Sequence, residues 1–254
     1  AAGESSKGRT RRAIARKLEC LRDAGVTHLP KPRRPKADAP RAAAVEPERD
    51  PPPARVAAKA VQPAVSRPEA LSAIARAVAQ CTRCAELART RTQTVFGTGN
   101  PHSRLVFMGE APGADEDRQG EPFVGRAGQL LTDIITKGMK LRREDVYILN
   151  TIKCRPPGNR TPAPAEITNC REYLDKQLAI LEPEFLCCLG AVATQALLEI
   201  QSPLGKLRGR FHDFHGIKVI CTYHPAYVLR YPETKRQVWD DIKILMKEMG
   251  LPGQ

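Results

Sequence analysis

Nowhere in the 254 residues is there a run of about eighteen or more apolar side chains, the length a helix needs to cross a bilayer. The first residues also lack the apolar stretch of a secretory leader, so the expectation is a cytoplasmic protein with no membrane partner. Disulfides do not persist in such a reducing compartment. The eight cysteines therefore argue for metal or cluster ligation, or for plain burial. Acidic charge is scarce at one end: residues 1–80 hold 17 of the 41 Lys and Arg but 8 of the 28 Asp and Glu, a net +9 of the chain's +13. That imbalance favours a polyanionic partner, although a cationic tail is also an ordinary solvated arm. Large apolar side chains are nearly missing from Pro30 to Pro68, a stretch dense in Pro, Ala and Arg around Pro51, Pro52 and Pro53. It cannot bury enough surface to offset its ordering entropy and is expected to be a disordered or polyproline-like linker. Ahead of it, Ile14, Leu18 and Leu21 fall at helical spacing among Arg11, Arg12, Arg16, Lys17 and Arg22, which predicts a short basic helix near 11–22. Residues 1–67 are thus an N-terminal extension and residues 68–254 the folded domain.

From Pro68 onward the pattern is globular. Pro68 suits a first helical turn, and Leu71, Ile74, Ala75 and Val78 share one face of a helix that ends near Cys81. Four short apolar runs follow, Leu105–Met108, Val146–Leu149, Phe185–Leu189 and Lys218–Thr222. They alternate with helical patterns near Ala127–Gly138, Ala165–Leu181 and Ala191–Leu198, and a last helix over Lys235–Met249 closes the chain. Strand and helix in alternation predict a three-layer α/β/α domain around a four-stranded parallel sheet. Ligands of such sheets bind where strands deliver their C-terminal ends. Those ends carry Glu110 and Ala111, Asn150, Gly190, and His224. Each alone is an ordinary cap or turn residue; together a carboxylate, an amide and an imidazole on one rim suggest a site.

Cys81 and Cys84 form a C-x2-C pair, and Cys154 and Cys170 a second pair across a fifteen-residue loop. Two close and two distant thiolates suit zinc or a cubane iron-sulfur cluster, and spacing does not choose. A redox C-x-x-C is disfavoured because the pair follows a helix instead of opening one after a strand. Cys20, Cys187, Cys188 and Cys221 are expected to be ordinary residues, the last three within apolar strands.

Three motifs stand in order beside these cysteines. They are Gly109-Glu-Ala-Pro-Gly-Ala-Asp-Glu-Asp-Arg-Gln-Gly-Glu-Pro-Phe-Val-Gly-Arg-Ala-Gly-Gln-Leu-Leu131, Asn150-Thr-Ile-Lys-Cys-Arg-Pro-Pro-Gly-Asn-Arg160 and His224-Pro-Ala-Tyr-Val-Leu-Arg230. From about Leu71 to Met249 the chain resembles the iron-sulfur, thermostable-type uracil-DNA glycosylases of family 4; the first seventy residues lie outside the likeness. The resemblance implies a DNA repair enzyme that flips uracil out of single- or double-stranded DNA and hydrolyses its N-glycosidic bond, working as a monomer at the nucleoid. It implies that Cys81, Cys84, Cys154 and Cys170 ligate a structural 4Fe-4S cluster. Phe123 would stack on the extruded uracil, Asn150 would bond its Watson-Crick edge, and His224 would face O2. Glu110 and Ala111 stand at the water-activating segment, and Glu116 near C5, where it would crowd out a thymine methyl. Asn159 and Arg230 would contact the DNA. The N-terminal extension is expected to contact DNA or a partner protein of repair or replication.

Two rivals are weighed against this. A related branch traps itself covalently on uracil-DNA through a histidine in a Lys-Arg-Arg-Ile-His insertion, and no such sequence lies between Asn150 and Cys170. A binding protein without enzymatic activity, whose rim residues merely touch phosphate, is the other.

Overall fold

The computed structural model describes residues 66–252; the helix expected near 11–22 lies outside them. Ser66 and Glu69 form a capping box that opens α1 (Arg67–Ala79), and Cys84 precedes the short α2 (Ala85–Thr90). The order continues with β1 (Thr98–Gly99), β2 (Leu105–Gly109), α3 (Ala114–Gln119) and α4 (Arg126–Asp133), whose last turn widens into a π-helical segment, Ile134–Gly138. Then come β3 (Tyr147–Asn150), α5 (Pro164–Leu181), β4 (Phe185–Leu189), α6 (Ala191–Leu198) and α7 (Leu204–Leu207). The chain finishes with β5 (Phe211–Phe214), β6 (Ile217–Thr222), α8 (Pro225–Arg230) and α9 (Lys235–Met249).

The sheet corrects one expectation. It has six strands in the order β1-β3-β2-β4-β6-β5, not four. The four central strands are parallel as expected, but β1 and β5 pair antiparallel at the two edges. Neither edge strand carries a long apolar run, because an edge strand in this sheet is only half covered.

Helices bury both faces. Along β2, Leu105 and Phe107 join one core with Ile148, Phe185, Ile220 and the Ile242, Leu245 and Met246 face of α9. Val106 and Met108 point the other way, into a core with Leu174 and Leu178 of α5 and Leu197 of α6. This two-sided burial is why the central strands are continuous apolar runs. Removing one such Leu side chain costs about 2–5 kcal/mol in comparable cores. The register sets Gly109 beside Asn150 and Leu189 beside Thr222, so the strand ends that carry the candidate residues finish level. Among the described residues, no helix is long and apolar enough to cross a membrane.

Candidate active site

A cavity of about 430 Å³ opens at those strand ends. Glu110, Ala111, Glu116 and Phe123 line it from the first motif. Asn150 and Asn159 line it from the second, and His224 and Arg230 from the third. All eight residues singled out for chemistry or substrate contact thus share one cavity.

Phe123 is held in an unusual pose. Its φ is +56°, a left-handed conformation costly to a residue with a side chain. Three contacts keep it there. Arg143 donates to the carbonyls of Pro122 (2.7 Å) and Phe123 (3.1 Å) and to Thr132 Oγ1 (3.0 Å). Gly128 of α4 lets the Phe123 backbone come so close that a Cβ there would lie 1.9 Å from its oxygen. Glu116, nearly buried, accepts the amide N–H of Val124 and of Gly125 with one oxygen and that of Gly113 with the other. Glu116 therefore clamps the turn that presents Phe123, a function its place in the sequence does not reveal.

Asn150 ends β3 with only 1% of its surface exposed, and its Oδ1 has no hydrogen-bond partner. A buried unpaired acceptor costs about 1–3 kcal/mol, so it is poised for a donor. Gly109, on the neighbouring strand, makes the space: a Cβ would lie 2.4 Å from Asn150 Oδ1 and 2.6 Å from the Phe123 ring.

His224 caps α8, and its Nδ1 accepts the Ala226 amide N–H at 3.1 Å. With Nδ1 an acceptor, the ring proton of the neutral form sits on Nε2. Burial, and then the charge of Arg230, push the imidazolium down to about 4 against a smaller opposite pull from Glu116. His224 is accordingly a neutral N–H donor at physiological pH. Its ring stacks with that of Phe123, centroids 5.5 Å apart. Burial raises the Glu110 carboxyl above the usual range, as suits a group that accepts a proton or orients water. Asn159, by contrast, is exposed, with φ +56° and its Oδ1 taken by Arg155 at 2.7 Å.

The four cysteines line a second, smaller cavity. Arg91 donates to Cys154 Sγ at 2.9 Å, and Asn169 lies 3.5 Å from Cys84 Sγ. Fully buried Lys153, whose Nζ donates to the Asn150 carbonyl at 2.8 Å, also lines this cavity. Among the described residues, no three His, Cys, Asp or Glu side chains gather tightly enough for a single metal ion. Cys187, Cys188 and Cys221 are buried in the sheet core, as expected.

The uracil DNA glycosylase superfamily model matches residues 96–243, which span the cavity's three motifs. Type-4 uracil-DNA glycosylases are among its relatives. The Archaeoglobus fulgidus protein is 42% identical over 69% of this chain and 91% of its own length. The Thermotoga maritima protein is 44% identical over 70% and 94%, and that of Saccharolobus solfataricus 40% over 68% and 83%. The chain belongs to the type-4 uracil-DNA glycosylase family.

In this type-4 glycosylase one positioning group lies outside the sequence motifs. Arg143 sits twenty residues from the Phe123 it holds and carries no local signal. Tyr227 and Pro156 also line the main cavity, and nothing in their spacing sets them apart from core or turn residues.

Proposed function

We propose that the chain flips uracil out of DNA and hydrolyses its N-glycosidic bond, releasing free uracil and leaving an abasic site for base excision repair. The observation that carries this is the meeting, in one cavity, of the unpartnered Asn150 Oδ1, the Phe123 ring and a neutral His224 donor.

A base within a duplex is out of reach and must be extruded, most cheaply from single strands or a U:G mismatch. Phe123 offers a stacking surface, worth about 1–3 kcal/mol per base in comparable proteins. Asn150 Oδ1 accepts uracil N3–H while its amide nitrogen donates to O4; cytosine presents the opposite pattern. As the bond from C1′ to N1 breaks, its electron pair goes to the base, and the negative charge spreads to O2, where the His224 Nε2–H donates. Glu110 faces the positive charge left on the sugar and orients the water that adds to C1′. No covalent enzyme intermediate is needed. Glu116, fixed by three amides, forms a rigid part of the wall and leaves no room for a methyl at C5. Asn159 and Arg230 contact the DNA strand.

Cys81, Cys84, Cys154 and Cys170 would hold a 4Fe-4S cluster. Two features support this: four thiols around one cavity and a cationic guanidinium donating to a sulfur. When bound, the cluster supplies a structural anchor for the 154–170 loop and no redox step. In this reading residues 68–254 are the catalytic domain of a monomer that works in the cytoplasm, at the nucleoid. The basic residues 1–67 add electrostatic attraction to DNA or to a partner protein of repair or replication.

The test is direct. Holoprotein incubated with single-stranded and U:G oligonucleotides releases free uracil, and the strand breaks only after alkali. Intact uracil in both substrates overturns the proposal.

A further inference from the structure

Three tyrosines, four residues apart, stand ring against ring beside the cavity, the first pair stacked and the second tilted. The Tyr223 and Tyr227 centroids are 5.2 Å apart with rings 17° from parallel, and Tyr227 and Tyr231 are 4.6 Å apart at 38°. The inner end of this ladder is anchored. Arg208 lies over Tyr223 at 5.5 Å, and Asp241, 1% exposed, accepts from Arg208 Nε at 3.0 Å and from Thr222 Oγ1 at 2.6 Å. The middle ring, Tyr227, lines the cavity. The outer ring is free on its far side: Tyr231 is 45% exposed.

Its backbone is nonetheless fixed, since the Tyr231 amide donates to the Tyr227 carbonyl at 2.9 Å and Thr234 Oγ1 donates to the Tyr231 carbonyl at 2.7 Å. Among the described residues, the only exposed large hydrophobic side chains are Leu229 and Tyr231, and they flank Arg230 of the cavity wall. A single exposed apolar residue means little. A rigid aromatic face at the outer end of a ladder of rings that lines the active cavity, in a segment also carrying exposed Lys235 and Arg236 beside Glu233, fits an aromatic partner on a polyanion.

We infer that Tyr231 is a stacking platform for the unpaired nucleobase that adjoins the flipped uracil on the same strand. The inference rests on the proposed uracil-DNA activity. It extends that reading from the extruded base to its neighbour and makes single-stranded DNA the substrate form this face serves. In a duplex, the faces of the neighbouring base are already covered by its own stack and pair, so Tyr231 has less to gain there.

The test uses oligonucleotides carrying a non-hydrolysable deoxyuridine analogue with 2-aminopurine on one side or the other. Wild-type protein is expected to quench 2-aminopurine at one of the two positions. Tyr231→Ala should lose that quench and bind the single strand about tenfold more weakly, with a smaller loss on a U:G duplex. The slope of affinity against salt should stay unchanged, because no charge is removed. Tyr231→Phe, which keeps the ring, should restore both quench and affinity. Unchanged quench and affinity in Tyr231→Ala, or equal losses on single strand and duplex, overturn the platform. Uracil release by wild-type protein, measured alongside, tells a failed platform from a failed glycosylase reading.

Discussion

Asn150 to Cys154 is five residues of chain that serve two cavities, and the two are supported differently. On the Asn150 side the protein itself fixes each working group: Glu116 and Arg143 hold the Phe123 turn, and the Ala226 amide sets the His224 tautomer. On the Cys154 side one sulfur receives a guanidinium and another an amide, and burial raises the Cys154 and Cys170 thiols above their usual range. A catalytic pocket built from internal hydrogen bonds keeps its shape before substrate arrives. In the proposed reading, the four thiols around the smaller cavity are completed by the group they would ligate. In the proposed function, chemistry and structural anchoring are thus separated within one short stretch.

The largest effect should come from breaking the second side. Cys154→Ser or Cys170→Ser is expected to lose iron and stability together, about 3 kcal/mol or more and roughly 10 °C in Tm. Iron analysis and thermal unfolding of anaerobically prepared protein check this; stoichiometric zinc without iron contradicts the cluster. On the first side, Asn150→Asp replaces the amide donor with an acceptor that repels uracil O4. Single-turnover uracil excision should fall by about a hundredfold or more, and cytosine excision is the activity to look for in its place. An Asn150→Asp protein with an unchanged uracil rate breaks the assignment.

Arg143→Met sharpens the comparison, because it should loosen the pocket while leaving its chemistry in place. The expected result is a rise of about tenfold in KM for uracil-DNA with kcat nearly kept, partly reversed in Arg143→Lys. A fall in Tm with KM unmoved would reduce Arg143 to a fold-stabilising residue. The smallest effect is one of pH. The folded pKa of His224, about 4, lies below the roughly 6.5 of an unfolded chain, so the unfolded state takes up the proton first. The stability this group contributes is therefore present at neutral pH and is lost as pH falls from about 6.5 to about 4. Arg230 faces the ring as the opposing cation, Glu116 as a weaker counter-charge, and Glu110 shares the cavity. An NMR titration should place the His224 midpoint near 4; a midpoint near 6.5 contradicts the buried neutral donor.

The parts of the structure legible in the sequence are those where burial is two-sided or backbone chemistry is local. The run Phe185–Leu189 and the helices Ala191–Leu198 and Lys235–Met249 stand at the residues their periodicity marked, because core burial imposes that periodicity. β1 escaped notice because it is two residues, Thr98–Gly99, with no pattern to read, and β5 because Phe211-His-Asp-Phe214 is a half-covered edge. At the site, Glu110, Asn150 and His224 were visible as strand-end residues. The grip of Glu116 and Arg143 on Phe123 was not, because it depends on a left-handed turn and on contacts across twenty residues that no spacing rule encodes.

The proposed mechanism turns on His224: a neutral imidazole, held by the Ala226 amide, acts on charge that appears only as the glycosidic bond breaks. The most direct measurement compares His224→Ala with wild type in single-turnover uracil release and in binding of non-hydrolysable uracil-DNA at one fixed salt concentration. The expected result is a rate lower by about a hundred- to a thousandfold with affinity changed far less. A single-turnover rate close to wild type would contradict it.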